Sequence, residues 1–302
     1  MGAILRPQQH HLLDEIDRAL EAGCRHLVAQ APTGFGKTIV GATLAKRNCD
    51  DRRRTLFTVP ALSLIDQTVE KFFAEGIRDV GVIQADHDLT NWSRHVQIAS
   101  VQTLMRRRMP PTDMVIIDEV HRWFDAYEEW LEGPWKHLPV IALTATPWTR
   151  GLGKHFGKLI VGATAAQLID ARYLSKFRVF APASPDLTGV RTVAGDYRDD
   201  DLSKAMDKAP LIADVVDTWI DRGQDRPTLC FAVDRAHAKH LQQKFIDAGV
   251  ASGYIDAYTR AFPDKIDRIQ SWSGMQSIQI GRSWSETKQW PRINYRRCTL
   301  LA

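Results

Sequence analysis

The chain has 302 residues, of which 44% are hydrophobic and 25% charged, a composition that fits a soluble globular protein and excludes a low-complexity chain. Its length suits two domains of ordinary size. The 40 Lys and Arg residues against 36 Asp and Glu residues give a formal charge of +4, which permits nucleic-acid binding and is equally an ordinary surface charge.

Strand-like and helix-like segments alternate over the first half of the chain, which is typical of a parallel sheet with helices on both faces. The predicted strands cover residues 26–31, 55–59, 95–99, 114–118 and 140–145, and the predicted helices cover 8–22, 37–46, 61–74 and 123–130.

A glycine-rich run at 31–38, Ala-Pro-Thr-Gly-Phe-Gly-Lys-Thr, follows the first predicted strand and opens a predicted helix. It matches a phosphate-binding loop except at its first position, where alanine replaces glycine. Glycines allow the tight turn, and the backbone N–H groups and helix dipole attract phosphates. Lys37 is predicted to reach the β- and γ-phosphates and Thr38 to ligate Mg²⁺. The predicted nucleotide contacts from this loop are Thr33, Gly34, Phe35, Gly36, Lys37 and Thr38.

An acidic pair follows the uncharged strand at 114–117, so a parallel sheet would deliver it to the same edge as the phosphate loop. Asp118 is predicted to hold Mg²⁺, and Glu119 to orient and polarise the attacking water. His121 is predicted to link the γ-phosphate region to neighbouring strands. Without the phosphate loop, the same residues would fit a surface acidic turn equally well.

In this order the motifs resemble those of superfamily-two helicases of the DEAD/DEAH-like kind, close to the bacterial and phage group of excision-repair and type III restriction motors. Residues 5–9 resemble the adenine-sensing segment, in which Gln9 matches the glutamine and Arg6 lies nearby. A glutamine amide can read an adenine edge through two hydrogen bonds. Residues 230–240 resemble the opening motif of a second motor domain.

Three further segments resemble the helicase motifs that contact nucleic acid or couple nucleotide state to domain movement. They lie at 58–67, 99–103 and 143–147. Their residue types also suit simpler roles, since serine and threonine favour helix caps and strand ends. The residues predicted from this resemblance are Pro60, Gln67, Ser100, Gln102, Thr103, Thr144 and Thr146.

The resemblance implies an α/β fold with two RecA-like parallel-sheet domains of the phosphate-loop NTPase class, the second incomplete. The predicted organisation is a first domain at 1–162, a linker at 163–176, a partial second domain at 177–258 and a divergent or disordered tail at 259–302. The tail, in which Arg292, Arg296 and Arg297 lie, fits a frame-shifted or truncated gene or a divergent segment. The arginine-bearing motif of the family is not recognisable there, although one of these arginines could substitute for it.

The expected function is an ATP- and Mg²⁺-dependent helicase or translocase, a hydrolase of nucleoside triphosphates, with single- or double-stranded DNA ahead of RNA as its partner. One alternative is a truncated module that binds ATP and nucleic acid with little or no turnover. Another is an ATPase that acts on protein partners. Four cysteines lack any Cys-x-x-Cys spacing, and neither a transmembrane-length apolar stretch nor a secretory signal is present, so a cytoplasmic location is expected.

Overall fold

The computed structural model describes residues 4–84, 87–149, 151–180, 185–193, 196–223, 226, 228–256 and 298–301. The chain divides into two compact units, Met1–Lys176 and Phe177–Ala302. Within the described ranges, no helix combines the length and the apolar character needed to cross a membrane.

A seven-stranded parallel sheet forms the centre of the first unit, with the strand order β3-β4-β2-β5-β6-β1-β7. This confirms the predicted α/β class. The strands are β1 (His26–Gln30), β2 (Thr55–Val59), β3 (Val80–Ile83), β4 (Val96–Ser100), β5 (Met114–Asp118), β6 (Val140–Thr144) and β7 (Lys158–Val161).

Helices connect most of these strands, as parallel pairing commonly requires, whereas the described residues between β3 and β4 contain no helix. They are α1 (Pro7–Glu21), α2 (Lys37–Asp50), α3 (Ile65–Ala74), preceded by a 3₁₀ turn at Leu62–Leu64, α4 (Val101–Leu104), α5 (Asp125–Glu132), α6 (Leu152–His155) and α7 (Ala165–Asp170).

Both faces of the sheet are buried, and successive side chains of one strand enter different cores. In β5, Ile116 packs into a core with residues of α1, α2 and α3, whereas Val115 and Ile117 pack into a second core with residues of α4 and α5. Burial on both faces explains why β2 and β5 are continuous apolar or β-branched runs. The sheet therefore presents the carboxyl ends of β1, β5 and β6 side by side.

The second unit contains a smaller parallel sheet of β10 (Thr228–Phe231), β12 (Cys298–Leu301) and β11 (Ser252–Ile255), in that spatial order. Its helices α9 (Ala209–Arg222) and α10 (Arg235–Asp247) share a small core built around Phe245. The remaining elements are the hairpin strands β8 (Thr192–Val193) and β9 (Asp196–Tyr197), and α8 (Asp199–Met206).

Several elements were absent from the sequence prediction. The short strand β3, the edge strand β7, the hairpin β8–β9 and α8 were not predicted. The stretch 163–176, predicted as a linker with a short connecting helix at 163–171, does contain that helix as α7, and its Leu168 lies fully buried in the first unit's core. Most of the predicted tail, including its three arginines, lies outside the described residues, but 298–301 forms the central strand β12 of the smaller sheet. The exact domain limits stay a prediction.

Candidate nucleotide site

The glycine-rich loop follows β1 and leads into α2, as the sequence predicted. Gly34 and Gly36 have φ angles of 82° and 94°, a left-handed conformation that glycine adopts without strain. A β-carbon on Gly34 would lie 2.6 Å from Leu174 Cδ2, so the loop is closely covered on that side. Lys37 begins α2 and is only 8% exposed. The loop therefore has the backbone shape and the buried lysine that a phosphate cradle needs.

Gln9 and Arg6, at the start of α1, both hydrogen-bond to backbone carbonyl oxygens of this loop. The Gln9 amide donates from Nε2 to the Phe35 carbonyl oxygen at 2.8 Å, and its Oε1 accepts from the Arg6 backbone N–H at 2.8 Å. Arg6 Nη1 donates to the Gly34 carbonyl oxygen at 3.0 Å. Gln9 is 2% exposed and Phe35 lies in the core. The contacts that the structure shows for Gln9 thus position the loop, while adenine recognition stays a prediction.

Asp118 and Glu119 stand at the carboxyl end of β5, beside the lysine. Glu119 Oε1 lies 3.4 Å from Lys37 Nζ, and the Glu119 backbone N–H donates to Asp118 Oδ1 at 3.1 Å. Glu119 has a φ of 52°, a left-handed conformation that costs a residue with a β-carbon about 1–2 kcal/mol. Such backbone strain concentrates at functional sites. The two candidate carboxylates therefore lie beside the lysine, while their roles stay a prediction.

Burial raises the pKa of Asp118 to about 6, and the adjacent Glu119 carboxylate adds to this shift. Lys37 and Lys71 act in the opposite direction without compensating it. A partly buried carboxylate pair that lacks enough positive charge is an arrangement that a divalent cation would relieve. Lys71, on α3, was not among the residues predicted from the sequence.

His121 connects the acidic pair to β6. Its Nδ1 lies 3.2 Å from Glu119 Oε2 and 3.0 Å from Thr144 Oγ1. Thr144 is fully buried, and its Oγ1 also accepts from the Thr146 backbone N–H at 3.0 Å. A continuous polar chain thus runs from Lys37 through Glu119 and His121 to the segment after β6. This brings Thr144 and Thr146, predicted from a separate motif, into the same site.

The other residues predicted to contact nucleic acid differ in accessibility. Ser100 is fully buried and caps α4, since its Oγ accepts from the Thr103 backbone N–H at 3.2 Å. Ser100 therefore has the helix-capping role that its residue type favours. Gln102 is exposed and donates from Nε2 to the Pro60 carbonyl oxygen at 2.9 Å, which ties the two predicted motifs together. Gln67 is exposed on α3. Contact of these residues with nucleic acid stays a prediction.

Two residues of the predicted linker also lie at the loop. The Arg6 guanidinium carbon sits 4.6 Å from the centre of the Tyr173 ring, and the Leu174 side chain covers Gly34. A guanidinium at this distance from an aromatic face is a cation–π contact. Nothing in the local sequence around 173–174 marks these positions, because the contact depends on a chain reversal after α7.

Comparison with known proteins supports the helicase resemblance. Residues 3–149, just under half of the chain, match the family described as type III restriction enzyme, res subunit. A 51.5 kDa protein of a Lactococcus phage is 24% identical over 233 residues, which cover 76% of this chain and 49% of that protein. The putative ATP-dependent helicase IRC3 of Saccharomyces cerevisiae is 25% identical over 284 residues, which cover 85% of this chain and 41% of IRC3. The chain thus spans less than half the length of either relative.

Among solved structures, the DEAH/RHA helicase HrpB of Escherichia coli is similar in fold, with a TM-score of 0.55 and 13% identity. The alignment covers 97% of this chain and 34% of HrpB. At this identity the likeness concerns the fold, and it agrees with a parallel-sheet, RecA-like organisation.

Proposed function

We propose that this chain, which resembles superfamily-two helicases, binds ATP with Mg²⁺, hydrolyses it, and couples hydrolysis to movement on nucleic acid. The observation that carries this proposal is the convergence of Lys37, Asp118 and Glu119 beside a glycine loop of left-handed backbone. Residues from positions far apart in the chain meet where a triphosphate and its metal would be bound.

The residues present fit these ligands. Lys37 and the N-terminal N–H groups of α2 would hold the phosphates, and Thr38, in the first turn of α2, would ligate Mg²⁺ together with Asp118. The bound cation would supply charge neutralisation of the phosphates. The raised pKa of Asp118 supports this fit, because a carboxylate with too little positive charge around it favours a cation.

Glu119 is the residue that we assign as the base. It lies 3.4 Å from Lys37, and phosphates that bind the lysine ammonium would weaken this ion pair. Glu119 Oε1 would then be free to orient a water molecule, while His121 Nδ1, 3.2 Å from Glu119 Oε2, holds the carboxylate in place. In this arrangement the lysine restrains the base until nucleotide is present.

Coupling would pass through His121 to Thr144 and Thr146, since the Thr144 hydroxyl bonds both His121 and the backbone after β6. We propose DNA, ahead of RNA, as the partner, contacted at the surface where Gln67 and Gln102 are exposed. The IRC3 relative is named a putative ATP-dependent helicase, which supports this class of activity. The cytoplasm, a reducing compartment that contains ATP and Mg²⁺, is the proposed location.

The assay compares Lys37→Ala with Lys46→Ala. Both lysines lie on α2, but Lys46 is exposed and pairs with Asp50 at 2.7 Å, away from the glycine loop. Phosphate release is measured with and without single-stranded DNA, and ATP affinity is measured with a fluorescent analogue. We expect Lys37→Ala to abolish DNA-stimulated phosphate release and Lys46→Ala to retain it.

Three outcomes separate the hypotheses. Unchanged DNA-stimulated release in Lys37→Ala would reject the nucleotide-site assignment. ATP binding by the wild-type chain with negligible phosphate release would favour the binding module without turnover. ATP hydrolysis without affinity for any polynucleotide would favour an ATPase that acts on protein partners.

A further inference from the structure

A second group of polar side chains lies at the opposite edge of the large sheet. Cys49 is in the last turn of α2, Asp79 directly precedes β3, and His95 directly precedes β4. One ligand-type atom from each of the three residues lies within 4.8 Å of the other two. All three side chains are partly buried. Three separate chain segments thus bring a thiol, a carboxylate and an imidazole together.

The contacts in this cluster are centred on one carboxylate. Asp79 Oδ2 lies 2.5 Å from His95 Nδ1 and accepts from the Cys49 thiol at 4.0 Å. The His95 backbone N–H approaches the same oxygen at 3.4 Å, while Arg94 Nη1 donates to Oδ1 at 3.4 Å. The thiol proton and an imidazole proton can therefore both be directed at the same oxygen. A single divalent cation can take the place of both protons.

We propose that Cys49, Asp79 and His95 form a three-ligand site for a divalent cation of the zinc class. Sulfur, imidazole nitrogen and carboxylate oxygen are the ligands that zinc prefers, and a thiolate disfavours Mg²⁺ and Ca²⁺. Three protein ligands leave a fourth tetrahedral position for water, which the partial exposure of the cluster allows. Arg94 fixes the carboxylate from its outer oxygen, as partners of metal ligands do.

The surroundings are consistent with a cation. The carboxyl end of α2, where Cys49 lies, is the negative end of the helix dipole. Burial acts to raise the pKa of Asp79, but hydrogen bonds from His95 and Arg94 outweigh it and hold that pKa below its usual range, so the carboxylate is ionised at neutral pH. Burial and the Asp79 charge raise the pKa of the Cys49 thiol, so the metal must displace the thiol proton.

The site is far from the nucleotide loop and independent of it. Lys37 begins α2 and Cys49 lies near its end, so the 14-residue helix separates them by roughly 20 Å. A cation here would join the end of α2 to the beginnings of β3 and β4. Its expected effect is therefore on the stability of the first unit and not on phosphate transfer.

The test titrates the metal-free full chain with Co²⁺ and then with Zn²⁺. We expect one Co²⁺ per chain with a thiolate-to-cobalt charge-transfer band, which Zn²⁺ displaces. Cys49→Ser should abolish the band, and His95→Ala and Asp79→Asn should each weaken zinc binding by at least about 100-fold. Zn²⁺ should raise the thermal midpoint of the wild-type chain and leave that of Cys49→Ser unchanged.

Cys24→Ser is the matched control, because Cys24 is also a partly buried cysteine of the first unit, but among the described residues its thiol hydrogen-bonds only to the His26 carbonyl oxygen. It should retain both the band and the zinc affinity. A wild-type spectrum without a thiolate band would overturn the proposal and leave the cluster as a hydrogen-bonded cap. Wild-type zinc affinity in Cys49→Ser and His95→Ala would overturn it as well.

Discussion

Replacing Gly36 with alanine tests how the start of α1 supports the glycine loop. Gly36 has a φ of 94°, and an added β-carbon would lie 2.5 Å from Gln9 Nε2. Gly76 is a matched control, since its φ is 83° and an added β-carbon there would meet no atom within 4 Å. Both alanines suffer the same backbone strain, but only the one at Gly36 displaces the Gln9 amide.

The expected loss of stability in each variant follows from these contacts. A left-handed alanine costs about 1–2 kcal/mol, which is the full effect expected for Gly76→Ala. At Gly36, the Gln9 amide must also leave the Phe35 carbonyl oxygen, to which it donates at 2.8 Å. Because Gln9 is 2% exposed, the broken bond is not replaced by water and adds about 1–3 kcal/mol. Gly36→Ala should therefore cost about 2–5 kcal/mol in total.

The assay is hydrogen exchange, which reports local opening in a chain whose two units need not unfold together. Peptides covering β1 and α2 report the cost of Gly36→Ala, and peptides covering α3 and β3 report that of Gly76→Ala. A double-mutant cycle with Gln9→Ala isolates the contact. In the Gln9→Ala background, the cost of Gly36→Ala should fall to that of Gly76→Ala. Equal costs of Gly36→Ala in both backgrounds would refute the inferred clamp.

Three further outcomes are expected. Thr144→Val removes the buried hydroxyl that bonds His121 Nδ1 and accepts from the Thr146 backbone N–H, so it should reduce DNA stimulation of phosphate release more than basal release; equal losses in both would contradict the coupling role. Tyr173→Ala should weaken ATP binding several-fold by loosening Arg6, measured by fluorescent-nucleotide titration, and Tyr173→Phe should restore it. Because burial and the adjacent glutamate raise the pKa of Asp118 to about 6, its contribution to stability is fully present below its unfolded pKa and is lost as pH rises through about 6. Urea unfolding in EDTA should show this loss between about pH 4 and pH 6 in the wild-type chain and not in Asp118→Asn, whose side chain cannot ionise.

The hydrophobic pattern of the sequence correctly predicted strands that are buried along almost their whole length. The bounds of β2 and β5 agree with the prediction, because strands buried on both faces require continuous apolar or β-branched runs. Short and edge strands carry weaker patterns. β3 contains Gly81, where a β-carbon would collide with the Asn91 carbonyl oxygen, and β7 has exposed residues on either side of the buried Ile160.

The same division applies to the candidate sites. The order of motifs was enough to predict that Lys37, Asp118 and Glu119 lie at the same edge of the sheet, because the carboxyl ends of all strands in a parallel sheet share one edge. Three contacts became visible only in the tertiary structure. Gln9 hydrogen-bonds to the glycine loop, and the Tyr173 ring packs against Arg6. Cys49, which has no metal-binding spacing to another cysteine, lies beside Asp79 and His95. These contacts join residues that are distant in sequence. Their geometry depends on how helices and turns pack, and a local sequence pattern does not contain that information.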